Sequence, residues 1–212
     1  MNAPRPLSIA VPKGRILRAL EPLLERAGLD ATPLGESDRR LVRETADGAL
    51  RYVFLKPDDV PTYVEYGAAD LGFAGRDTLL ERPTDLYVPV DLGIGRCRLV
   101  VAGRRGAAVP DVPRVATKYP RVAQAHFVAQ GVQAEIIPVH GSVELAPLVG
   151  LADLIVDIVE TGTTLRDNDL EIRETVAAVS TLLVANRAAY KLRAAAVGPL
   201  VARLREAVRD GG

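Results

Sequence analysis

The sequence has no tryptophan and one cysteine, Cys97, among 212 residues. A lone cysteine makes neither an intrachain disulfide nor a cysteine-based zinc cluster. Aromatic residues amount to 4%, too few for the stacking platforms that hold single-stranded nucleic acids. An excess of either charge is missing too: Lys plus Arg and Asp plus Glu total 27 each, so the net charge is zero. Nonspecific attraction to DNA or acidic membranes draws on a basic excess, so neither a nucleic-acid nor a membrane partner is expected. No apolar run reaches the roughly 18 residues of a membrane span. The opening M-N-A-P-R-P-L-S lacks the apolar core of a signal peptide, which makes the cytoplasm the expected location. What is present is 48% hydrophobic and 25% charged residues, close to a soluble globular average. The length suits one large domain or two small ones.

Short β-rich runs alternate with longer helical patterns. The strand candidates are Leu7–Val11, Arg51–Leu55, Asp70–Ala74, Arg98–Ala102, Arg114–Thr117, Glu135–Val139, Leu154–Val159 and Thr181–Val184. Several are apolar throughout, as strands covered on both faces are. Ile16, Leu17, Leu20, Leu23, Leu24 and Ala27 share one helical face, which Gly28 ends. Pro22 inside that pattern predicts a kink or a late start. Asp77 is placed to cap a helix beginning at Thr78. Gly198-Pro199 predicts a break, after which Pro199 opens a last helix buried through Leu200, Val201, Leu204 and Val208. This alternation predicts an α/β protein with mostly parallel sheets.

An internal echo divides the pattern. Gly67-Ala68-Ala69-Asp70-Leu71 returns as Gly150-Leu151-Ala152-Asp153-Leu154, and the strands at Arg51–Lys56 and Ala134–Val139 precede the two copies at matching spacing. Ala10-Val11-Pro12-Lys13 and Ala116-Thr117-Lys118 each open a strand-to-helix turn further upstream. Each half therefore reads β-α-β-α-β, and two related lobes are expected. The first takes residues 1–92 and 178–212 and the second 93–177, with crossings near 92–95 and 177–180. The C-terminal helices carry no third echo and are expected to pack on the first lobe. Gly106–Pro113 reads as a surface loop. A cleft between two lobes is a standard place for a small ligand.

Three stretches carry chemistry. In the first, the apolar strand Leu154–Val159 runs past Asp157 and Glu160 into Thr161-Gly162-Thr163-Thr164. Thr and Gly at a strand-to-helix turn can wrap backbone N–H groups and hydroxyls around a phosphate. Gly162 permits close backbone approach. The upstream carboxylates do not suit a phosphate but accept hydrogen bonds from a ribose diol, so together the stretch fits a ribose 5-phosphate. The bland alternative is a Thr-rich cap on an ordinary helix. In the second stretch, Lys13-Gly14-Arg15 projects two cations where a first strand meets a helix, a place suited to a polyphosphate or carboxylate. A solvated basic turn is the alternative. In the third, Asp70-Leu71-Gly72-Phe73-Ala74-Gly75-Arg76-Asp77, Gly72 and Gly75 would let a flat base lie against backbone. Arg39, Arg40 and Lys56 add cations, each of which alone reads as surface charge. His126 and His140 lack metal spacing, and neither a Walker loop nor a G-x-G-x-x-G fingerprint is present.

These residues together resemble a known family. A-V-P-K-G-R-I at the start, G-A-A-D-L-G-F-A-G-R-D, A-T-K-Y-P at Ala116–Pro120, and G-S-V-E-L-A-P-L-V-G-L-A-D-L-I-V-D-I-V-E-T-G-T-T-L at Gly141–Leu165 are similar to the catalytic subunit of ATP phosphoribosyltransferases in their short form. The resemblance implies two α/β lobes of the periplasmic-binding-protein type II kind. It implies transfer of phosphoribose from phosphoribosyl pyrophosphate to N1 of ATP, the opening step of histidine biosynthesis, with Mg²⁺ carried on the substrate phosphates and no metal site of the protein's own. It implies that Thr161, Gly162, Thr163 and Thr164 hold the 5-phosphate, with Asp157 at the ribose hydroxyls and Glu160 in support. Lys13, Gly14, Arg15 and Asp70 fall on the ATP side, and Lys56 and Arg15 are the catalytic candidates. It implies a homodimer inside a hetero-oligomer with a regulatory subunit similar to histidyl-tRNA synthetase. Two positions depart from the family: Asn168-Asp169 stands for a common Asn-Gly, and Lys56 for a frequent arginine. A two-lobed binding module without catalysis, or a phosphoribosyltransferase using a free nucleobase, remains open on the sequence.

Overall fold

The computed structural model describes residues 5–35 and 39–211. The chain divides into two compact units. One comprises the chain up to Leu79, Pro83–Gly95 and the chain from Ser180 onward; the other comprises Leu80–Arg82 and Arg96–Val179.

The first unit begins with β1 (Leu7–Pro12), α1 (Arg15–Arg26), β2 (Val42–Glu44), β3 (Leu50–Leu55), α2 (Val60–Glu65), β4 (Leu71–Gly75), α3 (Arg76–Glu81) and β5 (Leu86–Asp91). The second unit follows with β6 (Cys97–Arg104), β7 (Arg114–Thr117), α4 (Pro120–Ala129), β8 (Glu135–Pro138), α5 (Leu145–Leu148), β9 (Leu154–Val159), α6 (Thr163–Asp167) and β10 (Leu170–Val179). The chain then returns to the first unit as β11 (Thr181–Asn186), α7 (Arg187–Leu192) and α8 (Ala194–Arg209).

The first unit holds a six-stranded sheet, β2-β3-β1-β4-β11-β5, and the second a five-stranded one, β10-β6-β9-β7-β8. Parallel pairing is confined to β3-β1-β4 and β8-β7-β9; the remaining pairs are antiparallel. Both sheets are therefore mixed. The antiparallel partners include β2, β5 and β10, which the sequence pattern did not show as strands. Their burial alternates or stays partial, unlike the continuous apolar runs that make β1 and β4 legible.

The echo is a real repeat. Setting β2 aside, the orders β3-β1-β4-β11-β5 and β8-β7-β9-β6-β10 match strand for strand and direction for direction. The repeated glycines take the same left-handed turn, Gly67 at φ 75° and Gly150 at φ 74°. Each delivers an aspartate that clips the first parallel strand twice. Asp70 donates its N–H to Ser8 O and accepts Ser8 N–H at 2.8 Å. Asp153 donates to Arg114 O and accepts Arg114 N–H at 2.8 Å.

Each sheet is covered on both faces. In the first unit, α1 and α8 bury Leu20, Leu23, Leu24, Val197, Leu200, Val201 and Leu204 against Ile9, Val11 and Phe73. On the opposite face α2 packs Val60 and Val64 against Ala10, Ala74 and Val184. In the second unit, Ala123 and Phe127 of α4 pack on Leu99, Val115 and Val156, while Ala146 of α5 and Leu165 of α6 pack on Val100, Ile155 and Val159.

One helix expectation is corrected. α8 is continuous through Gly198-Pro199. Pro199 is its sixth residue, so it forfeits one backbone bond, while five buried side chains hold the helix on the core. Of the two outcomes that Pro22 allowed, the late start does not occur: α1 starts at Arg15 and carries Pro22 inside it, with a buried apolar face that outweighs one lost bond.

Candidate functional site

In the first unit the carboxyl ends of β1, β3, β4 and β5 lie along one edge of the sheet. Register pairs Pro12 with Leu55, and Lys13 N–H donates to Leu55 O at 2.9 Å. Lys13 and Lys56 are thus neighbours at adjacent strand ends, both exposed. Gly14 follows at φ 94° as the N-cap of α1. That N-terminus has no side-chain cap and no acidic residue in its first turn, so unneutralised N–H dipoles stand beside Lys13, Arg15 and Lys56. This edge is built for an anion.

The same edge holds Arg76, from the third stretch, and Asp91, which the sequence pattern did not mark. Arg76 Nη2 donates to Asp91 Oδ2 at 2.9 Å, Ser180 Oγ donates to the same oxygen at 2.9 Å, and Gly93 N–H donates to Oδ1 at 3.0 Å. Burial pushes the Asp91 carboxyl up, but the bonds from Gly93, Ser180 and Arg76 outweigh it and hold the group below the ordinary carboxylate range.

Asp70 is a correction. It sits at the opposite, amino-terminal edge, roughly 16 Å along β1 from Lys13 at about 3.3 Å per residue. Its side chain is 3% exposed and bound by Arg5, Arg193 and Ser8 N–H, so its acceptors are already taken. It fastens the start of β1 to the chain after α7. Asp153 plays the matching part in the second unit. Hydrogen bonds from the Arg114 side chain and backbone hold its carboxyl below the usual range.

Gly72 and Gly75 are corrected likewise. A Cβ on Gly72 would lie 2.7 Å from Val64 and 2.8 Å from Val60, so that glycine lets α2 pack on β4. A Cβ on Gly75 would collide with the Asp77 carboxylate. The space belongs to the protein's own side chains rather than to a base. Asp77 itself is buried in the first turn of α3, which starts at Arg76.

In the second unit, β9 carries Asp157 on the face shared with Ile155 and Val159, the face on which α6 packs. Asp157 is half-buried, and its Oδ1 accepts Ile158 N–H at 2.8 Å. Past the exposed Glu160 the chain turns at Gly162, in left-handed conformation at φ 73°, ψ 10°, and enters α6. Thr161 Oγ1 lies 3.1 Å from Thr163 Oγ1. Thr161, Thr163 and Thr164 are exposed. α6 has five residues, so the loop's means of binding are N–H groups and hydroxyls more than a helix dipole. Arg166 reaches back over it to Thr161 O and Thr163 Oγ1, each at 3.0 Å. Its spacing, three residues past Thr163, was the signal available in the sequence.

Asp169 takes φ 54°, the left-handed conformation that a glycine would adopt without cost. Of the two histidines, His126 Nε2 pairs with Glu174 Oε1 at 2.5 Å on the α4 side of the sheet, and His140 is exposed.

The ATP phosphoribosyltransferase family (HisG) profile matches residues 56–206. The ATP phosphoribosyltransferase of Sorangium cellulosum is 74% identical over 208 residues, covering 98% of this chain and 99% of that protein.

The chain belongs to the ATP phosphoribosyltransferase family.

The Anaeromyxobacter dehalogenans ATP phosphoribosyltransferase is 50% identical over 210 residues, 97% of this chain and 95% of its own. A solved chain of the ATP phosphoribosyl transferase (HisG:HisZ) complex from Thermotoga maritima superposes with a TM-score of 0.83 at 38% identity, over 96% of this chain and 99% of that one. The alkanesulfonate-binding protein SsuA from Xanthomonas axonopodis shares the fold alone, with a TM-score of 0.57 at 14% identity. It is a protein of the periplasmic-binding kind that the sequence resemblance implied. As an ATP phosphoribosyltransferase, the protein joins N1 of ATP to C1 of phosphoribosyl pyrophosphate and releases pyrophosphate, the first step of histidine biosynthesis. A binding module without catalysis is not favoured.

Proposed function

We propose that the two strand-end sites divide the substrates of this reaction between them. The Thr161-Gly162-Thr163-Thr164 loop takes the 5-phosphate of phosphoribosyl pyrophosphate, with Asp157 accepting from the ribose hydroxyls and Glu160 in support. Lys13, Gly14 and Arg15 take the ATP phosphates, and Lys56 and Arg15 counter charge on the departing pyrophosphate. The observation that carries this reading is the left-handed turn at Gly162 on the carboxyl end of β9, flanked by exposed hydroxyls and a strand-borne carboxylate.

The chemistry asks little of acid–base groups. The lone pair on adenine N1 forms the new bond to C1 as the C1–O bond to pyrophosphate breaks, and that bond's electrons leave with pyrophosphate. Positive charge gathers on the ribose carbon and negative charge on the leaving group. Lys13, Lys56 and Arg15, together with Mg²⁺ riding on the pyrophosphate, answer the second, and a carboxylate such as Asp157 at the ribose hydroxyls favours the first. Preorganised electrostatics of this kind is usually the largest catalytic term. Holding two large substrates in line supplies up to about 7–11 kcal/mol more. The strand-end cations Lys13 and Lys56 suit phosphates and not a metal, so the metal belongs with the substrate.

The proposal extends to assembly. The Thermotoga relative is a HisG:HisZ complex, and this chain is read as a homodimer working in the cytoplasm with a regulatory subunit of that kind, similar to histidyl-tRNA synthetase.

Two measurements test the reading. Pyrophosphate release from phosphoribosyl pyrophosphate is expected with ATP and not with adenine or without acceptor. Gly162→Val places a β-branched residue at φ 73°, which excludes close phosphate approach. Calorimetry should then show affinity for phosphoribosyl pyrophosphate reduced at least ~10-fold with the far-ultraviolet spectrum unchanged. Unaltered affinity would remove the loop from the site.

A further inference from the structure

We propose that Arg166 is a positioning residue for the phosphate loop, clasping it across Gly162 so that the Thr161–Thr163 hydroxyl pair is held for the 5-phosphate. The inference rests on the reading of that loop given above.

The geometry is that of a two-point clasp. Arg166 Nη1 donates to Thr161 O and Nη2 to Thr163 Oγ1, each at 3.0 Å. Its own backbone N–H donates to Gly162 O at 3.1 Å. The guanidinium lies close over the glycine: a Cβ there would stand 3.4 Å from Nη1. Gly162 is thus required for its left-handed turn, and the Arg166 guanidinium rests against the face where a Cβ would stand.

The clasp fixes hydroxyl directions. Thr163 N–H points to Thr161 Oγ1 at 3.4 Å, and the two Oγ1 atoms are 3.1 Å apart. Two hydroxyls carry two hydrogens, and one O–H···O bond between them uses one. With Arg166 donating into Thr163 Oγ1, the other hydrogen is left to donate to a ligand oxygen. A charged donor also polarises the hydroxyl it bonds, which makes that hydroxyl a stronger donor in turn. Only a planar fork bridges a carbonyl and a hydroxyl at once; an ammonium is a point charge and holds one of them. Arg166 is exposed, so its removal leaves no buried gap and the fold stands without it.

The test is a double-mutant cycle on the full chain, with its regulatory subunit if activity needs one. Arg166→Gln and Thr163→Val are measured singly and together, with Arg166→Lys alongside. Arg166→Gln is expected to raise KM for phosphoribosyl pyrophosphate about tenfold, with KM for ATP and the denaturation midpoint unmoved. Arg166→Lys should not restore it. Thr163→Val should raise the same KM, and the double variant should be no worse than the poorer single. If Thr163→Val raises KM and Arg166→Gln does not, the positioning role is overturned and the loop reading stands. If the two losses multiply, Arg166 acts independently of Thr163 and the clasp is overturned. If neither single variant changes KM, the loop reading itself falls.

Discussion

At the scale of single residues, conformation and partners decided what composition could not. Asp70 and Lys13 both sit in family-like motifs, yet one is walled in by Arg5 and Arg193 at the amino edge of a sheet and the other is exposed at the carboxyl edge. Asp169 shows the converse: its departure from a common glycine is visible in the sequence, and the structure gives it the left-handed φ of 54° that glycine would have taken. Aspartate visits this region more readily than most residues but still at a cost. Its ion pair with Arg105, at 3.4 Å between exposed side chains, contributes little. Asp169→Gly should therefore stabilise the protein by about 0.5–1 kcal/mol, the relief of the left-handed strain less the entropy that glycine adds to the unfolded chain. Urea denaturation monitored by circular dichroism measures it; a lower midpoint would mean that the ion pair outweighs the strain.

At the scale of elements, α8 is the instructive case. By local rules Gly198-Pro199 ends a helix, and tertiary packing carries the helix across it. The cost of that override remains in the structure. Gly198 is exposed, does not take a positive φ, and, its chain neighbours and its own helix backbone aside, has nothing within 4 Å of where a Cβ would stand. Gly198→Ala should raise stability by at most about 0.5–1 kcal/mol, the gain in helix propensity less the crowding of a Cβ before proline, and leave KM for both substrates unchanged. The rise in melting temperature under otherwise identical conditions checks it, and a fall would show that crowding of the new side chain against Pro199 outweighs the gain in helix propensity. Strands β5 and β10 make the opposite point: they pair because a neighbouring antiparallel strand offers its edge, a fact no window of sequence contains.

At the scale of the whole molecule, the repeat gives each unit the same five-strand order, the same aspartate clip and a carboxyl strand edge of its own. For an enzyme that opens histidine biosynthesis, feedback by histidine is expected to act through the regulatory subunit proposed above. That subunit would have to contact different states of the catalytic chain differently to change its rate. The purified chain, titrated with histidine alone, should show no strong inhibition at low concentration. Adding the regulatory subunit should create it. Strong inhibition of the isolated chain, with histidine bound at a site of its own, would refute this division of labour.

The sequence by itself determined the alternation of strands and helices, the twofold repeat, the family and the T-G-T-T loop, because these reside in local order: apolar runs, glycine turns and the spacing of motif residues along one strand-to-helix connection. It also placed Lys13 and Arg15 at a strand end, since the strand that carries them is continuous and apolar. Tertiary structure alone decided that both sheets are mixed, that Lys56 stands beside Lys13, and that Asp70 is a structural clip rather than a ligand. It alone decided that Gly72 and Gly75 make room for Val64 and Asp77, and that Arg166 folds back on the loop. Each of these depends on which neighbour a backbone edge or a charged side chain meets in space. That pairing is set by how strands line up and helices cover them.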